Sequence, residues 1–281
     1  MDRAALQEQI DELAEVEDSV RVIHLQQVHE LAAACDCPIR DVELAALEAG
    51  VLPQRYRRSL GTVGLEGQAK LLQATVAVVG LGGLGGYVVE ALARMGVGRL
   101  LLIDGDVFEE HNLNRQVLSV EAKLGTDKVQ AARHRVAEIN SVVEVVGHAV
   151  ALTRENLSRL LEGADVVVDG LDRLPTRLVL QEGTQALGIP MVHGSIAGFL
   201  GQVMTVFPGD PGLRGLYGEE GDIPEQGLEV QLGCPAATPM AVAAWEAQEV
   251  VKILLGQGEL LRHRLLVMDM ETGTVEVLQL S

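Results

Sequence analysis

Gly80, Gly82 and Gly85 form a G-x-G-x-x-G run, with Gly83 and Gly86 adding further room. Backbone without Cβ atoms can turn tightly and come close to a phosphate. The preceding run, Thr75 to Val79, is β-branched and apolar, as a buried strand requires. The residues that follow, Val88, Val89, Leu92, Ala93 and Met95, recur at helical spacing. A helix starting here points free N–H groups and its positive dipole end at the glycine loop, which makes a phosphate seat. Asp104 ends the next apolar run, Leu100 to Ile103, where a carboxylate can accept hydrogen bonds from ribose hydroxyls. Together these residues predict a nucleotide site.

Two ligands would use such a seat, a dinucleotide or ATP, and the connection after Asp104 separates them. It carries Asp106, Asn112, Arg115 and Gln116, with Lys128 beyond. Two fixed cations and neutral donors suit a polyphosphate, and a dehydrogenase has no need of them. Asp169 and Asp172 follow the run Ala164 to Val168, and Asp172 could hold magnesium through a carboxylate oxygen. In open α/β sheets, ligands sit at the carboxyl ends of strands, where Asp104, Asp169 and Asp172 all fall. His193 also ends a strand, but a lone histidine there is ordinarily a hydrogen-bonded core residue and is set aside as a base.

The elements that must position these groups alternate. Strands are expected at Thr75–Val79, Leu100–Ile103, Glu144–Val150, Ala164–Val168, Pro190–His193 and Gln202–Phe207. Helices are expected over Lys123–Ile139, Asn156–Leu161, Arg177–Ala186 and Met240–Leu255, and a terminal hairpin over Leu265–Met270 and Thr274–Leu280. The fold class is therefore α/β, a mixed, largely parallel Rossmann-like sheet with helices on both faces. Pro208 to Gln231 lacks periodicity and reads as a long surface loop. Residues 1–53 read as a helical extension, with helices over Ala4–Val16, Val22–Ala34 and Val42–Ala49, ahead of a domain spanning 54–281. Between the two lies a basic cluster, Arg55-Tyr56-Arg57-Arg58.

Composition narrows the function classes. The 281 residues carry 22 Lys and Arg against 40 Asp and Glu, a formal charge of −18 that disfavours extended contact with nucleic acid or anionic membranes. Apolar residues fall in short runs, and the chain opens on neither a membrane-length stretch nor a basic-then-apolar leader, so a soluble cytoplasmic protein is expected. Three cysteines are too few for a disulfide framework or a four-thiolate zinc site. Cys35 and Cys37 are expected to be free thiols, and Cys234 a buried or incidental one.

The glycine loop, the Ile103-Asp104-Gly-Asp106 ending, the Asn112-Leu-Asn114-Arg115-Gln116 run, Lys128 and Asp172 together resemble the ThiF/MoeB/HesA family of ubiquitin-activating-type adenylyltransferases. The resemblance covers roughly Arg55 to Gly256. It implies ATP at the glycine loop, Asp104 on the ribose, Asn112, Arg115 and Lys128 on the phosphates, and magnesium on Asp172. It also implies a homodimer in which Arg58 reaches the partner's phosphates. The implied substrate is a small ubiquitin-like sulfur-carrier protein of the ThiS/MoaD type, whose C-terminal glycine carboxylate becomes an acyl-adenylate for thiamin, molybdopterin or related synthesis. A separate sulfur donor would then act on it. Many members bind zinc through two Cys-x-x-Cys pairs, and Gly212 to Tyr217 has no cysteine, so no zinc site is expected. Two rival readings are a transfer-RNA-adenylating branch of the same family and an NAD-dependent oxidoreductase.

Overall fold

The computed structural model describes residues 3–218, 224 and 227–280. The chain opens with α1 (Arg3–Leu13), β1 (Glu15–Glu17), β2 (Val20–Ile23), α2 (Leu25–Cys35), α3 (Ile39–Glu48) and β3 (Leu52–Pro53). A 3-10 turn over Gln54–Ser59 leads into α4 (Leu60–Gln73). Strands and helices then alternate as β4 (Thr75–Val79), α5 (Gly83–Met95), β5 (Arg99–Ile103), α6 (Lys128–Ile139), β6 (Glu144–His148), α7 (Leu157–Leu160), β7 (Val166–Asp169) and α8 (Leu174–Leu187). The remainder is β8 (Met191–Ala197), β9 (Leu200–Val206), the short α9 (Leu213–Tyr217) and α10 (Glu229–Leu232), the long α11 (Ala237–Leu255), and the hairpin β10 (Arg264–Asp269) with β11 (Thr274–Gln279). Part of the expected 208–231 loop lies outside the described residues, and the rest of it carries α9 and α10.

One eight-stranded sheet runs β11-β10-β9-β8-β7-β4-β5-β6. The pairs from β8 through β7, β4 and β5 to β6 are parallel, and the last three strands add on antiparallel. The sheet is mixed and largely parallel, as expected. Its central strands are buried on both faces, and their side chains divide by parity. Val76, Val78, Leu100, Leu102, Val166 and Val168 pack with α5, α6 and α11. Ala77, Val79, Leu101, Ile103 and Val167 pack with α7 and α8 on the other face. The chain leaves β4 to one side through β5 and returns on the other side at β7, which opens a crevice at the end of β4.

The extension differs from its expected all-helical form. Glu15–Glu17, Val20–Ile23 and Leu52–Pro53 make a small three-stranded sheet, so the first helix stops at Leu13 and the second starts at Leu25. Asp18 and Ser19 both take positive φ, 46° and 67°, the turn that returns one strand onto its neighbour. Cys35 and Cys37, expected as free thiols, are joined in a disulfide. Asp36 between them is left-handed, with φ of 50°, and turns the chain at the end of α2. The extension is anchored to the main sheet's helices at Tyr56, whose buried ring fills the space that a Cβ on Gly96 would need. Asn140 donates to the Tyr56 hydroxyl at 3.1 Å.

Candidate active site

The loop between β4 and α5 is shaped by backbone contacts that tolerate no side chain. Gly80 has φ of 89°, and a Cβ there would lie 2.5 Å from the Gly170 carbonyl oxygen. Gly170 meets Gly80 in the same way, its Cβ falling 2.6 Å from the Gly80 carbonyl oxygen. A Cβ on Gly85 would sit 1.8 Å from that same oxygen, so Gly85 lets α5 close onto the strand. Gly82 and Gly83 meet nothing nearer than 3.5 Å and face the cleft. The three motif glycines thus divide between packing and ligand access.

Asp104 ties this loop to the next. Its carboxylate accepts from the Leu81 amide at 2.7 Å and from the Asp106 amide at 2.8 Å, and Lys128 Nζ stands 4.0 Å away. Burial raises its pKa, and the Lys128 charge and the two amides oppose that rise. Lys128 opens α6, where Asp127 caps the helix by accepting from the Gln130 amide. Its ammonium is buried at 3.0 Å from Asp106 Oδ2. The helix therefore begins later than the expected Lys123, and the later start puts Lys128 in its first turn.

A cleft of 1490 Å³ runs past these groups, and Gly80, Gly82, Gly83, Asp104, Asp106, Arg115, Gln116, Lys128 and Asp172 all line it. Arg115 is steadied by the His111 carbonyl at 3.0 Å and by Asn114 Oδ1 at 2.9 Å. Gln116 is buried, and its Oε1 has no partner among the described residues. Asp172 is exposed in the turn between β7 and α8, with no hydrogen bond or ion pair among the described residues, which leaves its oxygens available to a cation. Three expected residues lie off the cleft lining. Gly85 is buried behind the loop, and Asn112 is buried with its Oδ1 accepting from the Glu109 amide at 3.1 Å. Asn112 therefore shapes the polar loop instead of facing the phosphate seat. Arg58 projects exposed from the 3-10 turn.

The opposite wall comes from β8, β9 and α9, and sequence reasoning missed it. Asp169 and His193 are fully buried, with His193 Nδ1 2.7 Å from Asp169 Oδ2. His193 Nε2 lies 3.2 Å from the Tyr217 hydroxyl. Gln202 Nε2 donates to that hydroxyl at 2.6 Å and to Ser195 Oγ at 2.7 Å. Arg177 is 3.8 Å from Asp169 and also donates to the Leu171 carbonyl. Burial would raise the Asp169 pKa, but the Arg177 charge, the His193 bond and the Leu171 amide take it below its usual range. Burial pushes His193 down and keeps it neutral, against the pull of Asp169. Tyr217, Ser195, Gln202 and the half-buried Cys234 line the cleft. Burial raises the Cys234 thiol, which Arg115 opposes.

The signature of the ThiF family matches residues 56–281. This chain belongs to the ThiF family. The "SAMP-activating enzyme E1" of Haloferax volcanii is 39% identical over 227 residues, covering 79% of this chain and 83% of that protein. The "Adenylyltransferase and sulfurtransferase MOCS3" of Aedes aegypti is 37% identical over 230 residues, covering 80% of this chain and 52% of that protein, so this chain spans about half its length. Among solved structures, E. coli MccB with ATP superposes with a TM-score of 0.70 at 22% identity, over 81% of this chain and 72% of that one. That likeness is one of fold. The matched residues begin after the extension.

Among the described residues, the one cluster of three side chains that could hold a metal ion is Glu15, Glu17 and His24, in the extension. Among the described residues, no helix is long and apolar enough to cross a membrane.

Proposed function

We propose that the protein is an ATP-dependent adenylyltransferase that activates the C-terminal glycine carboxylate of a small ubiquitin-like sulfur-carrier protein. The observation that carries this reading is a single cleft with two unlike walls. One wall holds the glycine loop with Lys128 and Arg115, and the other a polar surface on β8, β9 and α9. At 1490 Å³ it exceeds the roughly 300–1,000 Å³ of pockets built for one small ligand, which leaves room for a second substrate beside a nucleotide. The names of the archaeal and insect relatives support the same chemistry.

In this reading the ATP phosphates rest on the amides at the start of α5, and Lys128 and Arg115 neutralise their charge. The carrier's carboxylate oxygen attacks the α-phosphorus, the bond to the pyrophosphate oxygen breaks, and an acyl-adenylate remains. Such transfers depend on positioning and charge neutralisation, so no protein nucleophile is required. Asp172 would hold magnesium, which supplies further neutralisation at the phosphates. Asp104 keeps free lone pairs for ribose hydroxyls while it fixes the loop. Arg58 lies off the cleft of its own chain, and its exposure suits a role across a homodimer. A separate sulfur donor then consumes the adenylate, in the cytoplasm, for thiamin, molybdopterin or related synthesis.

The charge of −18 favours a protein substrate over transfer RNA, and Lys128 and Arg115 favour ATP over NAD. The test is ATP–pyrophosphate exchange with magnesium, with and without small Gly-Gly-ending proteins of the same organism. Carrier-dependent exchange is expected. ATP binding without exchange for any carrier would overturn the assignment.

A further inference from the structure

The wall opposite the nucleotide loop holds more ordered polar structure than the attack of a carboxylate needs. That attack releases no proton. The step that consumes an acyl-adenylate does, when the nucleophile is a protonated thiol or persulfide. Asp169, His193 and Tyr217 form a continuous line from the core to the cleft, with separations of 2.7 and 3.2 Å. The hydrogen bonds favour one polarity. Gln202 Nε2 can only donate, so the Tyr217 oxygen accepts from it and is free to donate its own proton to His193 Nε2 at 3.2 Å, which is nearer than Ser195 Oγ at 3.4 Å. Asp169 in turn accepts a hydrogen bond from the Nδ1–H of His193.

We propose that Tyr217, backed by His193 and Asp169, is the proton acceptor for a thiol or persulfide that attacks the acyl-adenylate in this cleft. The inference rests on the adenylyltransferase reading above. As the sulfur–carbon bond forms, the carbon–oxygen bond to AMP breaks and AMP leaves as its anion. The sulfur's proton passes to the Tyr217 oxygen while the Tyr217 proton moves to His193 Nε2. The imidazolium so formed pairs with Asp169, and no electrons are gained or lost overall. Tyr217 alone reaches the cleft, so His193 and Asp169 are positioning residues that act through it.

The surroundings suit this task. Asp169 faces His193 from β7, Arg177 approaches from α8, Tyr217 from α9, and Glu246 from α11. Burial and the Asp169 charge hold Glu246 well above the usual carboxylate range, so it stays neutral and does not compete with Asp169. His193 starts neutral and can accept a proton, and Asp169 starts ionised and can stabilise it.

The test uses the full chain with ATP, magnesium and the Gly-Gly-ending carriers, with pyrophosphate exchange reporting the first step. The second is AMP release from preformed adenylate in a single turnover, driven either by β-mercaptoethanol, largely protonated at neutral pH, or by thiophenolate, already ionised. Only the first nucleophile needs an acceptor. Y217F and H193Q should each lower the ratio of the two rates about tenfold or more, general-base contributions being roughly 10²–10⁴-fold. An unchanged ratio overturns the relay even if both rates fall, because a merely structural role slows both nucleophiles alike. If one variant fails to fold, the other gives the same readout. Absence of exchange in the unmodified protein would remove the adenylation reading and the relay with it, whereas exchange with an unchanged ratio removes the relay alone.

Discussion

Asp172 is exposed and unbonded among the described residues, so its side chain can be removed without disturbing a neighbour. D172A should leave the thermal midpoint within about 2 °C, as surface substitutions do. Magnesium-dependent exchange should fall by about a hundredfold or more, on the scale of losing a positioned electrostatic group. Unchanged turnover would remove Asp172 from the metal role. Gly85 makes the opposite case. G85A puts a Cβ 1.8 Å from the Gly80 oxygen, and should lower stability by about 1–3 kcal/mol or more and abolish ATP binding, as denaturant melts and nucleotide titration would show. The sequence made the nucleotide wall legible because its residues fall close together, in a glycine run and a polar loop with recognisable spacing. The facing wall was hidden for the converse reason. His193 pairs with Asp169, 24 positions away, and with Tyr217, 24 positions away on the other side. No local pattern announces such partners, so His193 read as an ordinary core histidine.

At the scale of elements, β4, β5 and β7 were legible because apolar runs closed by glycine or aspartate have few alternatives. The extension was less so. Val20 to Ile23 continues the apolar periodicity into α2, and only the turn at Asp18 and Ser19 makes it a strand. Helix α3 carries a testable electrostatic property. Glu43 is 1% exposed, and although Arg55 Nε lies 3.5 Å away, burial outweighs that charge and pushes the carboxyl from 4.5 up to about 7. A raised folded-state pKa means that the folded protein holds a proton which the unfolded chain has lost between these values. Stability from this group is therefore complete below pH 4.5 and is lost as pH rises to about 7, by roughly 3 kcal/mol. E43Q should flatten that part of the stability–pH profile, measured by denaturant melts from pH 4.5 to 8. A profile parallel to that of the unmodified protein would show that Glu43 is already ionised when folded.

For the molecule as a whole, the placement of Arg58 bears on whether one chain makes a complete site. Arg58 is exposed and lies off the lining of its own cleft. If it completes a partner's cleft, R58A mixed with D172A should recover up to about a quarter of normal exchange, because a statistical mixture contains dimers with one intact site. If each variant is inactive alone, no recovery would mean that Arg58 acts in its own subunit.

The mutual contact of Gly80 and Gly170 has a consequence for the history of this protein. Each bars a side chain on the other through a backbone carbonyl, and neither residue has any side chain left to shorten. A substitution at either position thus has no second-site suppressor among ordinary point mutations, since relief requires the two backbone segments to move apart. In a saturation library, these positions should tolerate nothing singly and gain nothing in pairs. At this junction between β4 and β7, a side chain on either residue can be accommodated only if both backbone segments shift together.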